Sequence, residues 1–294
     1  MLNRFLAELI DDAGLFPPAR LPLGEALRAH DRANGGPFQW IVGRFIAPAG
    51  RLQELERYLG GVRTRPLVLS VILAGADTQA CRVGVAQARD LVARCGGAVE
   101  VELFETPHAG ALHELLDTVV DAFGARVPLY VELPPGEPDA GLHALAAERA
   151  SGRAACAKLR CGGPRSELFP TPAAVAHFIA AAAALGVPFK ATAGLHHPVR
   201  RLDPHSGCVM HGFLNVGAAA VFAHAGLVGE DTLREIVADE DPGSFALTPA
   251  LLGWRELRAG RQAVAAARAE FFHAYGSCST SEPLDDLVAL GLLP

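Results

Sequence analysis

The chain has 294 residues, half of them hydrophobic and 6% aromatic, and a formal net charge of −6. This length can bury a sizeable core, and the acidic balance offers no basic surface for nucleic acid and no polybasic segment for anionic lipid. The first residues do not resemble a signal peptide, and no run of about eighteen apolar residues predicts a membrane span. Six cysteines without CxxC spacing indicate reduced thiols, so we expect a cytoplasmic protein.

The predicted elements alternate between helices and strands. Residues 1–35 are predicted to form an N-terminal helical extension. Apolar and β-branched runs between Gly and Pro predict eight strands, at 40–47, 66–73, 98–104, 127–133, 154–160, 187–193, 243–248 and 270–276. Helix-period stretches separate them, which predicts parallel pairing and right-handed crossovers. We therefore expect a single (β/α)8 barrel over 1–294. An open doubly wound sheet is the alternative, but no Gly-rich phosphate turn follows the first strand.

Residues along each strand alternate between the helix-covered outer face and the barrel interior. In 98–104 this places Val99, Val101 and Leu103 outside, and Glu100 and Glu102 inside. Further interior residues are predicted at Arg44, Ser70, Tyr130, Glu132, Lys158, Arg160, Lys190, Thr192, His273, Tyr275 and Ser277. Barrel enzymes keep their active sites at the C-terminal ends of the strands, where several of these charges fall. The alternative is an ion-pair layer in which the buried charges only satisfy one another.

Two of the 26 basic residues are lysines, Lys158 and Lys190, and both lie on predicted strands. A guanidinium stays protonated, whereas a desolvated lysine amine can lose its proton and act as a nucleophile. Neighbouring strands lie about 4.8 Å apart, so one ammonium should lower the pKa of the other. We therefore expect Lys190 to be a Schiff-base nucleophile with Lys158 as its electrostatic partner. Glu132 or Glu102 would be the acid/base group.

Two resemblances are carried by short motifs. Lys190-Ala-Thr-Ala-Gly194 resembles the Lys-Thr-Ser-Thr-Gly strand around the Schiff-base lysine of deoxyribose-phosphate aldolases. In those aldolases the second lysine falls one strand after the nucleophile, whereas Lys158 falls one strand before Lys190. Over nearly its whole length the chain also resembles an uncharacterised family of predicted (β/α)8-barrel proteins. The motifs are Asp12-Ala-Gly-Leu-Phe-Pro-Pro-Ala19, Lys190-Ala-Thr-Ala-Gly-Leu-His-His-Pro198, His211-Gly-Phe-Leu-Asn215 and Gly276-Ser-Cys-Ser-Thr-Ser-Glu-Pro283. This second resemblance implies the fold and no particular reaction.

Residues 194–211, after the predicted sixth strand, form a long loop that we expect to cover the C-terminal mouth as a lid. Four histidines lie at or near this loop, namely His196, His197, His205 and His211. Together with Glu102 and Glu132 they would offer ligands to a divalent metal, but their spacing matches no HxxxH or HxH motif. We therefore expect no cofactor, with a divalent metal as the alternative.

The arginine guanidinium groups and the hydroxyl groups predicted near the mouth of the barrel indicate an anionic ligand, because both kinds of group bind carboxylates and phosphates well. Ser277 and Ser279 precede a C-terminal helix and would either bind an anion or only cap that helix. The predicted substrate-binding residues are Arg44, Arg160, Thr192, His196, His197, Arg200, Asn215, Ser277 and Ser279. The expected partner is a small phosphorylated or carboxylated metabolite, without nucleic acid or membrane. Self-association into a homo-oligomer is compatible with the sequence.

The favoured function is thus a Schiff-base aldolase or lyase that acts on a small anionic carbonyl compound. One alternative is a metal-dependent lyase, isomerase or hydrolase with Glu and His ligands. The other is a non-catalytic barrel that binds a small anion.

Overall fold

Eight parallel strands close into a barrel in the computed structural model, which describes residues 4–59, 65–73, 77–107, 110–163, 165–204 and 207–294. The strands are β1 Ile10–Asp12, β2 Val42–Pro48, β3 Leu67–Ile72, β4 Val99–Thr106, β5 Leu129–Leu133, β6 Ala155–Arg160, β7 Phe189–Thr192 and β8 Phe272–Ser277. Each pairs with the next along the chain, and β8 closes the barrel on β1. The predicted (β/α)8 barrel is confirmed.

Helices surround the barrel and bury their apolar faces against it. They are α1 Leu23–Asn34, α2 Leu52–Glu56, α3 Thr78–Cys95, α4 Leu112–Phe123, α5 Asp139–Ala150, α6 Pro172–Ala184, α7 Phe213–His224, α8 Glu230–Ala238, α9 Arg261–Glu270 and α10 Ser281–Ala289. The Thr171 side chain caps α6 by accepting the Ala174 N–H, and Pro172 supplies the fixed φ of a first turn. On the strand side, Phe189 packs edge-on against Phe178 of α6.

One segment, Ser166–Ala184, is long and apolar enough to cross a membrane, by length and composition alone. It contains α6, which buries Val175, Phe178 and Ile179.

The start of the barrel differs from the prediction. Its first strand, Ile10–Asp12, lies inside the segment predicted to be a helical extension, because three residues are too few to show an alternating pattern. The predicted strand 243–248 is wrong as a barrel strand. Phe245–Leu247 instead begins a small antiparallel sheet with Leu251–Trp254 and Leu257–Gly260, between α8 and α9. The predicted first to sixth strands are therefore the second to seventh of the barrel.

A β-bulge in β4 reverses the alternation of its side chains. Leu69 of β3 pairs with Val101, but the next residue, Ser70, pairs with Leu103. Glu102 is therefore the extra residue, and the side chains beyond it exchange faces.

The bulge has two consequences for the interior. Leu103 turns inwards and packs with Tyr130 and Cys156, so its predicted outward position is wrong. Glu105, which lay beyond the end of the predicted strand, also faces inwards, where Ser70 and both lysines contact it.

A register shift in β8 has a similar effect on Tyr275. Tyr275 pairs with Ala191 of β7, and its ring stacks on Phe213 of the outer helix α7. The prediction that Tyr275 faces inwards is therefore wrong.

Candidate active site

Eight charged side chains form an alternating chain of contacts through the barrel, which we call the interior ion network. Each member contacts the next, in the order Glu102, Arg44, Asp11, Lys190, Glu105, Lys158, Glu132 and Arg160. Acidic and basic groups alternate at every step, so each buried charge has an opposite partner. This pairing offsets the large cost of removing such groups from water.

Lys190 is the most enclosed cation of the network. Its Nζ donates to Asp11 Oδ2 and Glu105 Oε1, both at 2.6 Å, and all three side chains are at most 1% exposed. Burial opposes the charged form, but the two carboxylates outweigh it and raise the pKa of Lys190. This direction is opposite to the predicted lowering by Lys158, so Lys190 is an ammonium at neutral pH.

Glu105 bridges the two lysines. Lys158 and Lys190 lie directly opposite each other on β6 and β7, and Glu105 Oε2 lies 2.8 Å from the Lys158 Nζ. The Ser70 hydroxyl donates a third hydrogen bond to this carboxylate, at 2.6 Å. Burial alone would raise the pKa of Glu105, but the two ammonium groups hold it far below its usual range.

Lys158 lies two contacts from Arg160, which forms one of the two exposed ends of the network. Its Nζ lies 3.3 Å from Glu132 Oε2, and the other Glu132 oxygen accepts the Arg160 Nε–H at 2.7 Å. Side-chain exposure rises from 6% at Lys158 through 16% at Glu132 to 36% at Arg160. Burial opposes ionisation of Glu132, but Lys158 and Arg160 together lower its pKa. Because Arg160 ends β6, this opening lies at the C-terminal mouth.

The opposite end of the network lies towards the N-terminal mouth. The Arg44 Nε donates to Glu102 Oε2 at 2.7 Å, and its Nη1 lies 3.5 Å from Asp11 Oδ1. Burial would lower the pKa of Arg44, but Asp11 and Glu102 raise it instead. The structure thus separates Glu102, a predicted acid/base residue, from Lys158 by four intervening members of the network.

The predicted substrate-binding residues fall into separate groups. Thr192 ends β7 and lies opposite Arg160 in register, next to the lysine pair. His196 and His197 instead contact α10, through Glu282 at 3.0 Å and Asp286 at 2.6 Å. Burial disfavours the imidazolium of His196, but Cys278 and Glu282 outweigh it and raise its pKa to about 9.

Asn215 and Arg200 hold the segment after β7 in place. The Asn215 Nδ2 donates to the carbonyl oxygens of Ile236 and Asp239, at 2.7 and 2.8 Å. Its Oδ1 accepts the backbone N–H of Arg200 at 2.9 Å. The Asn215 amide is therefore committed to contacts within the protein.

Ser277 and Ser279 shape the turn before α10. The Ser277 hydroxyl donates to the Ser279 carbonyl at 2.6 Å. The Ser279 Oγ accepts the backbone N–H of Glu282 at 3.2 Å, so it caps the helix.

The histidine-rich loop offers no metal ligand set in the part of the chain that the structure describes, since no group of three His, Cys, Asp or Glu side chains is placed to hold an ion there. His211 Nε2 donates to the Pro170 carbonyl at 2.7 Å, and burial lowers the pKa of its imidazole to about 4. His205 lies outside the described residues. The role of residues 194–211 as a lid remains a prediction.

Two members of the network, Asp11 and Glu105, are not among the interior residues predicted from the sequence. Strand starts about thirty residues apart, counted back from β2, would have suggested a strand near Asp11. Glu105 lies one residue beyond the predicted end of its strand. No sequence pattern marks the bulge that turns it inwards.

The fold and the ion network define a (β/α)8-barrel protein with a paired lysine centre. No protein-family model matches the chain, and no curated protein matches its sequence. The chemistry of the barrel interior is therefore the basis for assigning a function.

Proposed function

We propose that the protein is a lyase of the Schiff-base type, which acts on a small anionic carbonyl compound. The observation that carries the proposal is the pair of lysine amines bound to one buried carboxylate. Lys190 and Lys158 lie 2.6 and 2.8 Å from the two oxygens of Glu105. Such a cluster combines a potential amine nucleophile, a fixed neighbouring charge and a carboxylate for proton transfer.

The choice of lysine favours chemistry over simple ion pairing. Arginine supplies all the other basic residues of this sequence, and its planar fork matches carboxylates better than an ammonium does. A network needed only for stability would not require lysine at its two central cationic positions. Apolar side chains of similar volume often stabilise a core as well as buried ion pairs do.

Within the pair, the geometry favours Lys158 as the nucleophile over Lys190. Both carboxylate partners of Lys190, Asp11 and Glu105, are fully buried, so neither can pass its proton directly to solvent. Lys158 instead contacts Glu132, which is partly exposed and shared with Arg160. If Lys158 loses its proton, Glu105 still keeps Lys190 as a partner. Lys190 is then a positioning residue that holds Glu105 as a carboxylate.

Substrate binding would supply the route for this proton. An anionic group on Arg160 draws the guanidinium away from Glu132, which then loses one of the two cations that lower its pKa. Glu132 accepts a proton from the Lys158 ammonium and leaves a neutral amine. Arginine binds carboxylate and phosphate in the same bidentate way, so either group would serve.

The amine nitrogen of Lys158 then bonds to the carbonyl carbon while Glu132 protonates the oxygen. The Glu132 carboxylate removes the second proton from nitrogen, and returning that proton to the hydroxyl expels water and leaves an iminium ion. The iminium accepts the electron pair of the adjacent C–C bond as an enamine, while the β-hydroxyl gives its proton to Glu132 and becomes a carbonyl. Glu105 compensates the iminium charge. Protonation of the enamine carbon and addition of water release the second product.

The two features of the aldolase resemblance point to different lysines. The five-residue motif lies around Lys190. In the aldolases, however, the second lysine lies one strand after the nucleophile, and in this chain only Lys158, on β6, has a lysine on the following strand. The strand order therefore agrees with the geometric argument.

The test exploits the scarcity of lysine in this chain. Purified protein is incubated with pyruvate or acetaldehyde, reduced with borohydride and weighed by mass spectrometry. Peptide mapping sets aside any adduct on the α-amino group, and we expect one further reduced probe per chain. The Lys158→Arg/Lys190→Arg double variant contains no lysine, so with its fold checked by circular dichroism it should carry no adduct other than on the α-amino group. Absence of a side-chain adduct in the wild type, or one that persists in the double variant, would overturn the proposal.

A further inference from the structure

A cavity of about 600 Å³ opens at the N-terminal mouth, on the other side of the barrel from the Arg160 opening. Its wall includes Arg44 near the start of β2, His273 near the start of β8, and Arg268 of α9. Arg4 and Glu8 form part of its rim. This volume lies within the range of about 300 to 1,000 Å³ that is common for small-molecule sites.

Arg268 adds a positive charge to this wall that no close ion pair neutralises among the described residues. Its Nη1 donates to the carbonyl oxygens of Phe272 and His273, and its Nη2 donates to that of Ala7 at 2.7 Å. Its Nε is buried and has no hydrogen-bond partner. Among the described residues no carboxylate lies within ion-pair distance of this guanidinium. Burial and the nearby Arg44 lower its pKa to about 10, against the opposing effect of Asp11 and Glu8, so a bound anion would stabilise the charged form.

The neighbouring His273 is affected by the same two arginines. The His273 Nε2–H donates to the Ala269 carbonyl at 3.2 Å, so its Nδ1 accepts the Tyr130 hydroxyl at 2.5 Å. Burial, followed by Arg268 and Arg44, lowers the pKa of His273 to about 4. His273 is therefore neutral, and the cationic groups of the wall are the arginines.

The acidic residues of the wall do not cancel this charge. Glu102 is already paired with Arg44 at 2.7 Å, and Glu8 lies on the exposed rim near Arg4. An adjoining cavity of about 930 Å³ contrasts with this one, since it adds Asp31 and Glu100 to Glu8 and Glu102 in its lining. The smaller cavity is thus the better site for an anion.

We propose that the cavity at the N-terminal mouth is a second ligand site, which binds a small oxyanion, either a phosphate or a dicarboxylate, against Arg268. Arg268 lines the cavity with no ion-pair partner among the described residues, and Arg4 at the rim adds a second cation, so a bound oxyanion would supply the missing counter-charge. The site is separate from the Arg160 opening and does not depend on the proposed lyase chemistry.

Titration calorimetry with inorganic phosphate and with malonate tests this site, and comparing the two distinguishes a phosphate ligand from a carboxylate ligand. In Arg160→Gln, which lacks the anion contact of the proposed active site, we expect saturable binding of one anion per chain at neutral pH. Ala269→Glu adds a carboxylate to the cavity wall without removing any Arg268 contact, and should weaken binding about tenfold or more. Gln262→Glu adds the same charge to an exposed position of α9 outside the lining, and should leave binding unchanged.

The controls separate this site from the proposed active site. Arg160→Gln should leave binding intact, since Arg160 lies at the other mouth. Binding that disappears in Arg160→Gln but survives Ala269→Glu would assign the anion to the lyase site and overturn this proposal. So would the absence of saturable binding of both phosphate and malonate to the wild type.

Discussion

Lys158 and Lys190 lie opposite each other on neighbouring strands, yet their surroundings differ. Lys190 is held at 2.6 Å by two carboxylates that solvent does not reach. Lys158 shares the partly exposed Glu132 with Arg160, at the C-terminal mouth. In the proposed mechanism Lys190 is therefore the fixed charge and Lys158 the proton-exchanging amine. The difference that supports this proposal is that Glu132, unlike Asp11, is partly exposed and shared with a mouth arginine.

The largest expected difference between the two lysines is in the rate of proton exchange at carbon. An enamine on Lys158 would exchange the methyl protons of pyruvate with D2O, which NMR follows without knowledge of the natural substrate. Lys158→Arg should slow this exchange by about 10⁴-fold or more, because the nucleophile is lost while the charge is kept. Lys190→Arg, which keeps the fixed charge, should retain measurable exchange. The reverse ranking would assign the nucleophile to Lys190.

Replacing Lys190 should lower the free energy of unfolding more than replacing Lys158, the reverse of their expected effects on proton exchange. Lys190→Met leaves Asp11 and Glu105 buried with one cation fewer, which should lower the free energy of unfolding by about 3 to 5 kcal/mol. Lys158→Met should cost less, because its partner Glu132 is partly exposed and close to Arg160, whereas the Lys190 partner Asp11 is fully buried and lies 3.5 Å from Arg44. Urea denaturation at pH 7 measures both. Equal losses would mean that the two ends of the network are not energetically distinct.

Arg160 should matter for anionic substrates only. Arg160→Gln removes a charge-assisted interaction, so the KM for pyruvate should rise by about 10- to 100-fold. The KM for acetaldehyde, which carries no anionic group, should change little. A comparable rise for both probes would show that Arg160 supports Glu132 without binding the substrate anion.

The smallest expected effect is a difference in the pH dependence of stability. The folded-state pKa of Glu105 lies far below its ordinary value of 4.5, so its contribution is complete above pH 4.5 and falls as the pH drops. Glu105→Gln should flatten the slope of unfolding free energy below pH 4.5 by up to about 1.4 kcal/mol per pH unit. Glu132→Gln should flatten it less, because the pKa of Glu132 is lowered to a smaller degree. An unchanged slope in Glu105→Gln would contradict the bridging role.

The sequence was sufficient to predict the barrel and the interior position of both lysines. Their strands are long enough for alternation to be visible, and lysine is rare in this chain. Asp11 could not be found in this way, since its strand has only three residues and is defined by pairing with β2 and β8. Glu105 was hidden by a bulge, which depends on how two strands pair and not on either strand alone.

Contacts between distant strands also explain why the predicted direction of the Lys190 pKa shift is wrong. From the sequence, the nearest known charge to Lys190 was Lys158, so a lowered pKa was expected. The carboxylates that raise it come from β1 and β4, which are distant in sequence and brought close only by barrel closure. Side-chain identity singled out the two lysines, but the direction of the pKa shift required the complete interior.

Locating the borohydride-reduced adduct tests the central claim most directly. After reduction with pyruvate, the wild-type protein is digested with a protease that does not depend on lysine, and the peptides are sequenced by mass spectrometry. The two lysines lie 32 residues apart, so separate peptides carry them. The division of roles predicts the adduct on Lys158, with Lys190 unmodified. An adduct on Lys190 would contradict it, because the fixed cation of the network would then be the reacting amine.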